Sequence, residues 1–261
     1  MTQPQASPEI KYRQCTSVAD FAECMRIQHA VWGESISVPV PIFVVAHHTG
    51  GHILGAFQDG QMIGFTQAFA AWRGGKLFLH SHVAGVLPQF RDRGVGRRLK
   101  FFQRDEALRR GIDLIEWTFD PLDLKNGYFN LTRLGVIVRR FLPNCYGLTD
   151  SPLHAGLPTD RLVAQWWLDS DRVKAVLAGS RAPVSTSAER IEIPAEFATL
   201  RETDRAAAAR IQAEAREQFQ KWFAKDYVAT GVDRRDSGTD YLLEPAAAVT
   251  GLNRSRLSKE S

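Results

Sequence analysis

Two dipeptide turns constrain this chain more than any other feature. Between His52 and Val86 it reads ILGAF, Asp59-Gly60, QMIGFTQAFAAW, Gly74-Gly75, KLFLHSHVAGV. Asp-Gly and Gly-Gly enter left-handed backbone at little cost, so between β-rich runs they close two-residue hairpins. Three antiparallel strands over 52–86 follow. After Pro88 the period changes: GVGRRLKFFQRDEALRR, residues 94–110, sets Val95, Leu99, Phe102 and Leu108 on one helical face, and Gly111 stops it. Residues 112–119, IDLIEWTF, bounded by glycine and proline, read as a buried parallel strand.

The flanks are read against this unit. Ser17 with Asp20 three residues on opens a helix over 18–32, closed by Gly33. Residues 35–41 carry two prolines and read as loop, while the apolar run 41–51 is compatible with helix or strand. A short helix ends at Gly135. VIVRRFL and RLVAQWWL are strands separated by a loop over 143–160, with Trp166 and Trp167 expected to divide between core and surface. A helix at 170–178, a loop at 179–189, the strand RIEIP, a helix over 203–225 and the segments DYVATGV and YLLE complete the pattern. The fold class is α+β, a mixed and mostly antiparallel twisted sheet flanked by helices. The expected organisation is a tail at 1–11, a core at 12–150, an α+β extension at 151–245 packed on that core, and a disordered tail at 246–261.

Composition removes other classes. In 261 residues, 44% hydrophobic and 24% charged, no apolar run approaches a membrane span and the N-terminus lacks a leader pattern. Three cysteines, Cys15, Cys24 and Cys145, make no CxxC pair, so a reducing cytoplasm is the expected home. The net charge of +4 is mild, but residues 91–110 hold eight Lys or Arg against three acids. A local anion site explains that concentration better than a polyanion surface.

The turn into the basic helix reads Leu87-Pro88-Gln89-Phe90-Arg91-Asp92-Arg93-Gly94-Val95-Gly96-Arg97-Arg98. Two glycines at a helix start let backbone N–H groups approach a ligand, and the helix dipole favours an anion there. The run R-x-x-G-x-G over Arg91 to Gly96, between a meander and an amphipathic helix, resembles the acyl-CoA signature of the GNAT superfamily of N-acyltransferases. The order of elements over residues 12–147 resembles that family too. A dinucleotide site is disfavoured, because no GxGxxG is present. Fragments beyond residue 147 resemble a long branch of the family linked to N-succinylation of amino acids.

The resemblance implies that pantetheine lies along Val83, Ala84, Gly85 and Val86. It places the diphosphate on the amides of Arg93, Gly94, Val95 and Gly96, with Arg91, Arg97 and Arg98 supplying charge and Asn126 and Asn130 in reach of the arm. It also implies that the strands ending at 86 and starting at 112 splay to form the reaction slot. A lysine-like ammonium with pKa about 10.4 loses its proton at pH 7 at a cost of roughly 4.6 kcal/mol, an α-amino group near 8 at about 1.4 kcal/mol. A general base is therefore useful. In several family members a glutamate eleven residues before the Q/R position serves, and here that position is His80. His82 shares its strand parity. A histidine base suits an α-amino acceptor, and Glu116 is the other candidate. The family's usual acid, a tyrosine four residues before the helix-ending glycine, is replaced by Leu131, with Tyr128 one turn earlier.

His47, His48 and His52 lack a suitably spaced acid or cysteine, so no metal is expected. Arg139-Arg140 read first as a solvated or salt-bridged pair and second as a site for an acidic acceptor or succinyl carboxylate. The leading reading is a cytoplasmic enzyme that moves an acetyl or succinyl group from acetyl-CoA, succinyl-CoA or another acyl-CoA to the primary amine of a small molecule, an amino acid first among them. The alternative is a non-catalytic acyl-CoA-binding or sensing protein. Neither nucleic acid nor membrane is an expected partner, and a homodimer is compatible with the pattern.

Overall fold

The computed structural model describes residues 9–34, 37–147, 156–182, 184–235 and 238–249. The chain forms two compact units, Met1–Ile115 and Glu116–Ser261. The boundary expected at 150 therefore falls inside the second unit.

The first unit is built on four antiparallel strands in chain order: β1 (Ile10–Gln14), β2 (His52–Gln58), β3 (Gln61–Arg73) and β4 (Lys76–Val86). Both hairpins have the two-residue turns that the sequence implies. Asp59 and Gly60 have φ of 50° and 79°, Gly74 and Gly75 of 57° and 76°, which matches the right-handed twist of the flanking strands. Helix α1 (Val18–Trp32) starts in a capping box, Ser17 accepting from the Asp20 amide while the Asp20 carboxylate accepts from the Ser17 amide. The run that sequence left open is a helix, α2 (Val40–His48), with prolines at its start.

Successive strand residues feed opposite faces. Ile53, Met62 and Phe65 pack with Phe21, Cys24 and Ile27 of α1 and with Phe43 and Ala46 of α2. Leu54, Ala56 and Ile63 pack on the other side with Val95 and Leu99 of α3 (Val95–Arg109). The stripe that α3 buries is Val95, Leu99, Lys100, Gln103 and Ala107, so two polar residues lie where sequence placed Phe102 and Leu108, both only half-buried. The expected tail over 1–11 also needs correction. Ile10 and Lys11 belong to β1, because the free edge of β2 offers their backbone a ladder.

Strand β5 (Leu114–Phe119) crosses the boundary, and the second unit has the strand order β5-β7-β6-β9-β10-β8. Here β6 is Ile137–Leu142, β7 Arg161–Trp167, β8 Glu189–Pro194, β9 Tyr227–Arg235 and β10 Gly238–Pro245. β6 pairs antiparallel with both β7 and β9. Its helices are α4 (Leu124–Tyr128), α5 (Asp171–Leu177), α6 (Phe197–Thr203) and α7 (Arg205–Ala224). α4 runs on as one π turn over Phe129–Arg133, and Gly135 follows at φ 75°. Trp166 and Trp167 are both buried, against the expected division, with the Trp166 Nε1–H donating to the Leu134 carbonyl at 2.9 Å. The expected C-terminal tail starts too early, since Ala246 and Val249 are buried on Val228. Residues 250–261, residues 1–8 and the part of the loop over 148–155 lie outside the described residues.

Mostly antiparallel strands flanked by helices confirm the fold class. Among the described residues no helix is long and apolar enough to cross a membrane.

Candidate active site

The turn between β4 and α3 gathers most of the predicted cofactor residues. Pro88–Phe90 form one 3-10 turn, and the Arg91 Nε–H donates back to the Val86 carbonyl at 3.2 Å, which pins the loop to the end of β4. Asp92 and Gly94 both take left-handed backbone, at φ 60° and 78°. Gly94 is the N-cap of α3, and no side chain caps that helix start. The first N–H groups of α3 thus lack the usual side-chain acceptor, which leaves an anion the natural partner.

Val95 anchors this end in the core, and its neighbour Gly96 is half-buried. A Cβ at Gly96 would meet only a Val86 methyl at 3.7 Å, whereas one at Gly94 would meet nothing within 4 Å. Gly94 is therefore required by its backbone and Gly96 by neither packing nor backbone. Arg91, Arg93 and Arg98 are exposed around the turn and Arg97 half-buried. Arg93 lies over the Phe90 ring at 5.6 Å and Arg97 over Phe101 at 4.7 Å, so two of the four guanidiniums are steadied by aromatic faces.

Along β4, Ala84 is exposed and Val83 and Val86 half-buried. The Val83 carbonyl accepts from Thr66 Oγ1 at 3.2 Å. Gly85 is small for a packing reason, because a Cβ there would stand 2.9 Å from the Trp32 ring.

β4 also carries the two histidines. Its register on β3 steps between Val83, opposite Gln67, and Ser81, opposite Ala68, so His82 is the extra residue of a β-bulge. The bulge turns the His82 ring onto Phe69 (5.5 Å between centroids) and beside His80 (6.3 Å). Desolvation holds the His82 pKa below its ordinary value, so that ring is neutral and able to accept a proton at pH 7. The two imidazoles are neighbours, and the bulge, which interrupts strand alternation, sets their contact.

Gln67, opposite the bulge, was not anticipated. It is fully buried, with core Phe65 and half-buried Phe69 two residues to either side on β3, and neither of its carboxamide atoms has a hydrogen-bond partner among the described residues. An unpaired buried amide costs about 1–3 kcal/mol, so it marks a place built to receive a polar group. Only the glutamine within an apolar run hinted at it.

The other predicted residues lie in the second unit. Glu116 is buried, accepting from Arg140 Nη2 at 3.1 Å and from Gln165 Nε2 at 2.8 Å, while Arg139 Nε donates to Gln165 Oε1 at 3.1 Å. Both arginines are thus taken up by this cluster, the first of the two readings given to them. Tyr128 lies under the Arg234 guanidinium at 4.5 Å. Asn130 is buried, its Nδ2 donating to Asn126 Oδ1 at 3.2 Å, and the Asn126 amide is capped by Asp123. Leu131, at the position of the family's tyrosine, is fully buried. His52 is buried against Gln103, while His47 and His48 meet edge to face at 5.6 Å in α2, so these three do not form one ligand set.

The sequence model of the acetyltransferase (GNAT) family matches residues 16–126. No curated protein sequence matches the chain. Among solved structures, the chain is similar to the ribosomal-protein-S18-alanine N-acetyltransferase of Escherichia coli, with TM-score 0.50 and 13% identity over 69% of this chain and 97% of that one. It is also similar to a proposed acetyltransferase of Salmonella typhimurium, solved with its cofactor acetyl-CoA, with TM-score 0.50 and 20% identity over 62% and 95%. A third similar structure is a protein of Streptococcus mutans, with TM-score 0.51 and 15% identity over 61% and 99%. At such identities the likeness is one of fold.

Proposed function

We propose, from the match of residues 16–126 to the acetyltransferase (GNAT) family, that the chain works as an acyl-CoA-dependent N-acyltransferase in the following way. The acyl donor is acetyl-CoA or succinyl-CoA, and the acceptor is the primary amine of a small metabolite, an amino acid first among them. One observation carries the reading: the start of α3 is uncapped, with left-handed Gly94 as its N-cap and four arginines around it.

In this proposal the diphosphate seats on the N–H groups of residues 93–96, and pantetheine follows Val83 to Val86. The cofactor supplies an activated thioester. His80 takes the proton of the attacking ammonium, directly or through water, and His82 keeps the adjacent ground neutral. Glu116 is committed to Arg140 and Gln165, both of which donate to its carboxylate. Tyr128, one turn before Leu131, remains the acid candidate that the sequence offers. A thiol of pKa about 8.5 is a tolerable leaving group without one.

The test is a thermal shift with CoA. Gly94→Asp puts a carboxylate in the cradle; the space there is open but the left-handed backbone adds about 1–2 kcal/mol of strain, so the melting temperature without CoA first checks that the variant is folded. CoA should raise the melting temperature of the parent chain and leave that of Gly94→Asp unchanged. Equal shifts in both proteins would remove the cradle from the reading.

A further inference from the structure

Where α3 covers β2, β3 and β4, one stretch of the interior is polar. Lys100 Nζ donates to Gln103 Oε1 at 2.6 Å and to Ser81 Oγ at 3.3 Å. Gln103 Nε2 lies 3.0 Å from His52 Nε2 and 3.4 Å from Ser81 Oγ. Ser81 Oγ is 3.4 Å from Thr66 Oγ1, the hydroxyl that also holds the Val83 carbonyl. Lys100, Gln103, Ser81, Thr66 and His52 are all buried. The network joins the helix whose start forms the anion cradle to the strand assigned to pantetheine, and an aliphatic residue at 100 would have sealed the same space.

Position 100 follows Gly96 by four residues, about 6 Å along the helix axis, and helical side chains lean toward the N-terminus. The lysine nitrogen thus lies inside the fold about one turn behind the cradle on the same helix, where Gln103 and Ser81 hold it. We propose that Lys100 is a buried counter-charge of the anion cradle, taking up a proton from solvent when the diphosphate of CoA seats on residues 91–98. The inference rests on the acyl-CoA reading and adds a residue and a proton to it.

Burial supports the direction of the transfer. Desolvation pulls the Lys100 pKa down to about 7. His52, on β2, is pushed to about 3 by desolvation and by Arg110 and Lys100, against Glu106, so it stays neutral. β3 and β4 face the lysine with the hydroxyls of Thr66 and Ser81, and α3 adds Arg97, Arg104 and Glu106 along its length. A diphosphate about 10 Å away, at an effective dielectric of about 20, raises a lysine pKa by about one unit or more. At pH 8 the protonated fraction then rises from about one tenth to about one half, an uptake of about 0.4 proton per CoA. The proton leaves the buffer acid and bonds to Nζ, and nothing else changes hands.

The sign for stability follows from the same burial. An unfolded lysine titrates near about 10.4 and the folded Lys100 near 7, so the unfolded chain binds the proton more tightly between these values. Folded stability rises with pH from 7 to 10, and Lys100→Met removes that slope.

The experiment is calorimetric titration of CoA into the full chain at pH 8, in phosphate and in Tris, whose ionisation enthalpies differ. The parent chain should take up about 0.4 proton more than Lys100→Met, the nucleotide's own phosphates titrating equally against both. Equal proton counts overturn the inference, whereas absence of CoA binding to the parent chain overturns the acyl-CoA reading itself. A second measurement needs no variant: in chain labelled at lysine Cε, one resonance should titrate near pH 7 and move up by about one unit with CoA. A buried lysine whose titration ignores CoA would sink the proposal independently.

Discussion

The two units differ in how they hold most of their buried charged groups. In the second, three buried carboxylates meet guanidinium groups, Asp160 held by Arg216 at 2.9 and 3.0 Å, Asp240 by Arg190 and Arg235 at 2.7 and 2.5 Å, and Glu116 by Arg140 at 3.1 Å, while Glu244 accepts from the Thr230 hydroxyl and the Ser185 amide. In the first, Lys100 donates to a carboxamide and a hydroxyl, Gln67 has no hydrogen-bond partner among the described residues, and the start of α3 has no side-chain cap. Removing one member of a matched buried pair is costly, so matched pairs fix a structure. Groups left for an outside partner cost stability until that partner arrives, and binding recovers it. On the function proposed above, ligand recognition falls to the first unit and scaffolding to the second.

The largest test of this contrast removes the scaffold. A chain ending at residue 150 strips β6 of β7 and β9, its two antiparallel partners, and Leu134 of Trp166. The expected product is insoluble or without turnover, read by size-exclusion chromatography and a thiol-release assay. A soluble fragment with full turnover would show the later strands to be dispensable.

The next effect is on chemistry in the first unit. His80→Gln keeps reach but cannot accept a proton, and turnover should fall by about 10²–10⁴-fold while CoA binding barely changes. The deficit should shrink as pH rises toward the pKa of the acceptor amine, because solvent then supplies the neutral form. Near-normal turnover at pH 7 would pass the role to His82 or Glu116.

Smaller still is a change in stability confined to the second unit. Asp160→Ala leaves Arg216 without its bidentate partner and the Asn144 amide without its acceptor, at an expected cost of about 3 kcal/mol in urea unfolding. The concentration of CoA needed to saturate the enzyme should not move. A stable Asp160→Ala chain with weakened CoA binding would invert the assignment of the two units.

Some of this arrangement follows from local chemistry alone. Asp59-Gly60 and Gly74-Gly75 dictate two hairpins because so few residues enter left-handed backbone in pairs, and Gly94 before an amphipathic run marks a helix start with free N–H groups. The boundaries of α1 follow from Ser17, Asp20 and Gly33 in the same way. Such features need no knowledge of what lies across the fold, and the cradle residues 91–98 are among them.

Other features depend on neighbours distant in sequence. IKYRQ in β1 has little strand character of its own and acquires it from the open edge of β2. The apolar run of α2 has no period to separate helix from strand, and its faces became distinct only when Phe43 and Ala46 met α1 and β3. The division between units at 115/116 was hidden because β6 looks like the end of one domain until β7 and β9 are seen on either side of it. Lys100 and Gln103 read in sequence as part of a solvated basic helix. Burial is a property of the facing strands, so only tertiary structure could place that ammonium inside and bring its pKa within reach of a bound anion.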